Sequence, residues 1–339
     1  MIDLRSDTIT KPSKDMLAYM FQAEVGDDVF MDDPSVNQLQ NEVAAMFSME
    51  DALFCPSGTM ANQIAIRIHT QPQDEVICHK YSHIYLYEGG GMMSNSQVSP
   101  KLLEGDRGLL SADQIETSIN PDDIHFPRTT LVSLENTMNK GGGSTYDLAD
   151  IQKIKEVCDS HSLGLHLDGA RLFNAIVKND EDPAHYGQLF DTISVCFSKG
   201  LGAPVGSVLL GSHKMIAQAR RVRKVMGGGM RQAGYLAAAC YYALNHNVDQ
   251  LKIDHDHAKQ LGVILEDCSY VKSIYPIETN IVIAQLDDSI NEITFLDLLR
   301  EKKILGVPFG KGLIRFVTHL DFHEEMLNEF DEAIRSIQK

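Results

Sequence analysis

Two polar residues at the ends of apolar runs carry the first chemical signal. Lys199 stands in Ser198-Lys199-Gly200 directly after TISVCF (192–197), and Asp168 closes LGLHLD (163–168). Burying an ammonium is costly, so a lysine in that place either snorkels to water or is a partly desolvated amine nucleophile of the Schiff-base kind. An aspartate at a strand end is commonly a helix N-cap. It is also the carboxylate that keeps the pyridine nitrogen of pyridoxal phosphate (PLP) protonated, so that the ring can accept electrons. Singly, each residue has the plainer reading. Together they mark two strand ends, and the strands of an α/β sheet direct their carboxyl ends into one crevice, so both can meet one ligand.

Other residues fit the same ligand. Ser57-Gly58-Thr59 follows ALFC (52–55) and precedes a helical stretch. A strand, a turn and a helix N-terminus aim free N–H groups and hydroxyls at an anion, although S-G-T is also an ordinary capped turn. His83 offers a plane to stack on a ring. Arg171, Arg231 and Arg315 offer forked donors for a carboxylate or phosphate, and Arg315, inside the apolar LIRFVTH, needs a partner if buried. Arg221, Arg223 and Lys224 read as a solvated helix face. No metal site is expected. His255 and His257 are two apart and do not share a helix face, and His323-Glu324-Glu325 lacks a second histidine.

The elements that must position these residues alternate. Runs at 52–55, 75–79, 129–135, 163–168, 192–197 and 205–211 read as strands, and 148–161 and 215–226 as helices. That alternation predicts an α/β domain with a mostly parallel sheet over 1–246, including an N-terminal arm. From 247 the order is helix, strand, helix, strand, helix, a smaller α+β domain over 247–339. The net charge of −17 disfavours nucleic acid and anionic membrane surfaces. The six cysteines make no C-x-x-C, and several lie in apolar runs, so they read as buried thiols of a reducing compartment. There is no basic-then-apolar leader and no run of 18 apolar residues, which places the protein in the cytoplasm.

At this point the ordered motifs resemble a known family. IDLRSDTIT (2–10), VGDDVF with DDPSVNQLQ (25–40), PSGTMAN (56–62), DDIHFPRT (122–129), SLENT (133–137), HLDGARLFNA (166–175), SKGLGAPVGS (198–207), GGGMRQAG (227–234) and RFVTHLD (315–321) are similar to those of low-specificity L-threonine aldolases, PLP enzymes of fold type I. The resemblance implies that Lys199 is the covalent anchor, Asp168 the partner of the pyridine nitrogen and His83 the stacking ring. Ser57, Gly58 and Thr59 would hold the phosphate, with Arg231 reaching in from a neighbouring subunit. Ser6, Arg171 and Arg315 would bind the substrate carboxylate, and Tyr87 and His125 would lie near the substrate side chain. The implied reaction is aldol cleavage of L-threonine, L-allo-threonine or a related β-hydroxy amino acid to glycine and an aldehyde, with His83 and His125 both candidates for the base. The implied assembly is a homo-oligomer, a dimer or a tetramer built as a dimer of dimers, with the site at a subunit interface.

The chain departs from the family's pattern where Met138 replaces a histidine after Glu135-Asn136-Thr137, in the Gly-rich stretch 141–148, and in the polar stretch 89–97. These departures bear on the pocket around the β-substituent. A β-eliminating lyase or aminotransferase using the same anchor, and a non-catalytic binding protein on the same fold, remain alternatives at this level.

Overall fold

A computed structural model of the chain describes residues 1–337. The short runs rich in Val, Ile and Leu form strands, because β-branched side chains pack well on a sheet covered on both faces. In chain order the strands are β1 (Ile2–Asp3), β2 (Asp51–Cys55), β3 (Glu75–His79), β4 (Ser99–Leu103), β5 (Thr129–Glu135), β6 (Gly164–Gly169), β7 (Thr192–Cys196), β8 (Ser207–Gly211), β9 (Val271–Ile274), β10 (Ile281–Leu286), β11 (Ile304–Leu305), β12 (Val307–Gly310) and β13 (Leu313–Val317).

A seven-stranded sheet has the order β2-β8-β7-β6-β5-β3-β4. β4, β3, β5, β6 and β7 pair in parallel, and β8 lies antiparallel between β7 and β2. Every residue of β7 is buried, and full burial of Ile193 or Val195 is worth roughly 1.5–3 kcal/mol each. One face packs on the large core, where Leu165 and Leu167 join Phe47, Phe173 and the helices Pro34–Met46 and Leu148–Ser160. The other face buries Leu53 and Leu209 against Ile64 and Ile216 of the helices Gly58–His69 and His213–Val225. The expected α/β architecture with a mostly parallel sheet is what forms.

A second, antiparallel sheet, β12-β13-β10-β9, follows with its own core of Phe295, Phe316 and Phe330. The N-terminal arm, expected with the large domain, sends its first residues here. Ile2 and Leu4 belong to this second core, β1 pairs in parallel with β11, and the Val317 N–H donates to the Leu4 carbonyl at 2.8 Å. β4 was not expected from the sequence, because Pro100 interrupts its pattern; proline confines such a strand to a sheet edge, and β4 is the edge.

One charged residue also needs correcting. Arg221 and Lys224 are solvated, but Arg223 is buried, paired with Asp28 at 2.7 Å and donating to the Phe54 carbonyl at 2.7 Å. All six cysteines are free and buried. Among the described residues no helix is long and apolar enough to cross a membrane.

Candidate active site

The parallel register gathers the chemistry on one edge. Glu135 and Asp168 are paired neighbours near the carboxyl ends of β5 and β6. Lys199 sits in the turn beyond β7, His83 opens the short helix His83–Leu86 beyond β3, and Ser57 caps the helix Gly58–His69 beyond β2. A cavity of about 360 Å³ is lined by Lys199, Arg171, Arg315, His83, Tyr87 and Ser6. These six residues were all singled out in the sequence. Asp168, 1% exposed, lies beside His83: ligand atoms of His83, Glu88 and Asp168 fall within 4.8 Å of one another.

Five predicted residues lie differently. Ser57 uses its oxygen as a helix cap, accepting from the Met60 N–H at 3.2 Å, and Ser57 and Thr59 are exposed rather than in the cavity wall. Gly58 packs so close to the end of β7 that a Cβ would stand 2.6 Å from the Cys196 sulfur. His125 is on an exposed loop, bound to Asp123 at 2.7 Å, and Arg231 is exposed and paired with Asp27 at 2.8 Å. Within one chain neither reaches the cavity.

Several residues that sequence reasoning passed over organise the site. The Arg171 guanidinium is clamped by Asp7, Nε to Oδ2 at 2.8 Å and Nη2 to Oδ1 at 2.6 Å, with both side chains buried. This leaves Nη1 free of Asp7. Burial alone would raise the Asp7 carboxyl, but the charge and hydrogen bonds of Arg171 prevail and hold it at about 2. Among the described residues Arg315 has no carboxylate partner. Its Nη1 donates to Asn139 Oδ1 at 2.8 Å and its Nη2 to the Arg5 carbonyl at 2.9 Å, and its buried Nε has no partner among the described residues. Burial and the neighbouring Arg171 charge lower its pKa to about 10, so it stays a cation at neutral pH.

A buried polar network supports His83. Its Nδ1 meets Glu88 Oε1 at 3.0 Å, and since a carboxylate accepts, Nδ1 carries the proton and Nε2 is left available. Glu88 also accepts from Asn62 and Gln63, at 2.9 and 2.6 Å, and the same Asn62 amide donates to Asp168 Oδ2 at 2.9 Å. The Asn62 carbonyl in turn accepts from Ser194 at 2.6 Å. Burial works against a charged His83, yet Glu88, Asp168 and Glu135 together raise its pKa. Glu135 receives the backbone N–H groups of His83 and Asn139, at 2.8 and 3.0 Å; burial, then the Asp168 charge, push it up to about 7.

The donor set fits PLP. There is an amine at the cavity wall, a buried carboxylate on the neighbouring strand end, a histidine plane beside it, a helix N-terminus on the same sheet edge, and in Arg315 a buried donor without a partner. Fold and site together define a PLP-dependent enzyme of fold type I.

The family model described as beta-eliminating lyase matches residues 3–289. The low-specificity L-threonine aldolase of Escherichia coli K12 is 40% identical over 97% of each chain. The low-specificity L-threonine aldolase 1 of Arabidopsis thaliana is 39% identical over 100% of this chain and 98% of its own. The solved threonine aldolase of Leishmania major has the same fold, with a TM-score of 0.85, 20% identity and 99% of each chain covered. The chain belongs to the beta-eliminating lyase family, and within it to the PLP-dependent low-specificity threonine aldolases.

Proposed function

We propose that this protein cleaves the Cα–Cβ bond of L-threonine, L-allo-threonine and related β-hydroxy-α-amino acids, giving glycine and an aldehyde, with Lys199 as the cofactor's covalent anchor. The observation that carries the reading is Arg315, a half-buried cation whose Nε is buried and which has no carboxylate partner among the described residues, facing the same cavity as Lys199. When bound, PLP supplies the electron sink for the pair released by the breaking bond. Asp168 would hold the ring nitrogen, and the N-terminus of Gly58–His69, with Ser57, Gly58 and Thr59, would hold the phosphate. Arg315 and the free Nη1 of Arg171 grip the substrate carboxylate, with Ser6 beside them, which orients the Cα–Cβ bond. His83, held by Glu88, takes the β-hydroxyl proton at Nε2. Tyr87, whose ring centroid is 5.6 Å from that of His83, lies along the β-substituent.

The protein acts in threonine breakdown and glycine formation in the cytoplasm, on a PLP-binding unit (1–246) and a smaller unit (247–339). Its working form is a homotetramer, a dimer of dimers with the site at a subunit interface. Arg231 and His125, each held by an aspartate of its own chain, are exposed outside their own chain's cavity and serve a neighbour's. Phe21, Phe30, Val225 and Ile124, at 81, 69, 89 and 98% exposure, supply apolar surface for such contacts.

The test feeds L-threonine and L-allo-threonine to the purified protein and to Lys199→Ala. The parent protein is expected to give glycine and acetaldehyde, and the variant to lack both activity and the cofactor's visible absorbance. Release of a 2-oxo acid and ammonia instead would overturn the aldolase reading in favour of elimination.

A further inference from the structure

The cavity holds one positive charge more than threonine cleavage requires. Lys140, Arg171, Lys199 and Arg315 line it, and no carboxylate does, in a chain of net charge −17. Asp7 neutralises Arg171. Lys199 is committed to the cofactor, and Arg315 is matched by the α-carboxylate. Lys140 has no such match. Its Nζ donates to the Phe309 carbonyl at 3.1 Å, which uses one of its three N–H donors. It also lies 3.8 Å from the centroid of the Phe309 ring, and the Arg315 guanidinium lies 4.9 Å from the same centroid. Two cations thus share one aromatic ring, and neither has an ion-pair partner among the described residues.

Lys140 is held in place rather than loosely tethered. It stands in the loop closed by the Met138 N–H on the Ser144 carbonyl at 3.0 Å and the Gly143 N–H on the Met138 carbonyl at 2.9 Å. Gly142 and Gly143 have φ of 78° and 74°, a region that favours glycine. The loop is pinned from outside by Arg107 Nε on the Gly141 carbonyl at 3.0 Å and Thr279 Oγ1 on the Gly143 carbonyl at 2.9 Å. The unusual Met138 does not touch the cavity. It is fully buried, and a Cβ on Gly108 would stand 2.2 Å from it. Of this loop, Asn139 and Lys140 line the cavity, and Asn139 is already engaged by Arg315.

Resting on the aldolase reading, we propose that Lys140 makes this cavity selective for β-hydroxy amino acids that carry a second carboxylate on the side-chain end. The smallest such substrate is L-3-hydroxyaspartate. Its β-hydroxyl loses a proton, the Cα–Cβ bond breaks, the Cβ–O bond becomes a carbonyl and Cα takes up a proton, giving glycine and glyoxylate. Atoms and electrons balance without an oxidant or further reactant. L-3-Hydroxyglutamate carries the same charge one carbon further out and would give 3-oxopropanoate.

The test compares kcat/KM for L-3-hydroxyaspartate, L-3-hydroxyglutamate and L-threonine in the holoenzyme and in Lys140→Gln and Lys140→Arg. It also measures by calorimetry the binding of L-aspartate, which has both carboxylates and no hydroxyl to react. A charge-assisted hydrogen bond of this kind corresponds to about 10- to 100-fold in affinity. One or both hydroxy diacids are expected to surpass threonine, the better one reporting the reach of Lys140. Lys140→Gln should lower the diacid-to-threonine ratio and L-aspartate affinity about 10- to 100-fold, and Lys140→Arg should restore most of each. A ratio and an affinity unchanged in Lys140→Gln would overturn the proposal. Cleavage of none of the three substrates would remove the aldolase reading, while L-aspartate binding still decides whether Lys140 holds a second carboxylate.

Discussion

Asp7→Asn is the substitution whose consequences the structure defines most closely. It removes the charge that faces Arg171 at 2.6 and 2.8 Å and leaves a guanidinium 7% exposed without a counter-ion. Two routes give its size. The carboxyl is held at about 2 against an ordinary 3.8, and at 1.36 kcal/mol per unit this corresponds to about 2.4 kcal/mol of stability at neutral pH. Breaking a buried pair by removing one partner costs about 3–5 kcal/mol, the excess being the stranded charge. With a urea m value near 3 kcal/mol per M, the unfolding midpoint should fall by about 1 M at pH 7. The pH dependence has a definite sign. A depressed pKa contributes stability that is present above the unfolded value and lost as pH falls through the folded one. The Asp7 contribution to the gap between parent and variant should therefore narrow from about pH 4 towards 2. Because Asp7 also aims Arg171, KM for the amino-acid substrate should rise. Equal midpoints from pH 5 to 8 together with an unchanged KM would refute the reasoning.

Three further perturbations separate the remaining parts. Glu88→Gln removes the hydrogen-bonded carboxylate that, with Asp168 and Glu135, raises the His83 pKa, so the acid limb of the pH–kcat profile should move to lower pH; the new amide also faces the Gln63 donor, and stability should drop by about 1–3 kcal/mol. An acid limb left in place would show that Glu88 does not govern His83. Arg315→Ala should raise KM about 10- to 100-fold, with partial recovery in Arg315→Lys; a change below about threefold would mean the substrate carboxylate is held elsewhere. Asp254 is buried, and burial followed by the Asp7 charge pushes its carboxyl up to about 8. It keeps its proton when folded at pH values where the unfolded chain has lost it, so it subtracts stability increasingly from about pH 4 to 8. Asp254→Asn should accordingly unfold at higher urea than the parent at pH 8, by roughly 5 kcal/mol at most, with the two converging near pH 4.

What the sequence made legible follows from where the polarity lies. Lys199 and Asp168 stand out because each ends an apolar strand, and parallel strands bring such ends together without any knowledge of side-chain contacts. Asp7, Glu88, Glu135 and Asn62 carried no such signal. They act through partners far along the chain, and an isolated carboxylate in a sequence looks the same whether solvated or buried. One clue was available for Asp7: a buried Arg171 requires a counter-charge, and Asp7 lies beside Ser6 in the N-terminal motif. Arg223 was misread because its neighbours Arg221 and Lys224 are solvated, and only the packing of Asp28 reveals that its face is inward. β1 and β11, two residues each, exist only through their pairing with one another.

That pairing has a consequence for biogenesis. Ile2 aligns with Ile304, the Leu4 carbonyl receives the Val317 N–H, and the Arg5 carbonyl receives Arg315. Residues 2–5 thus find their places only after residues 304–317 have been synthesised. Until then the nascent large sheet can pack while Arg315 has yet to emerge and the arm has no edge to join. Completion of the cavity wall is therefore a late event, and a fusion that holds back residues 2–7 should delay the onset of activity far more than it delays the appearance of compact, protease-resistant protein.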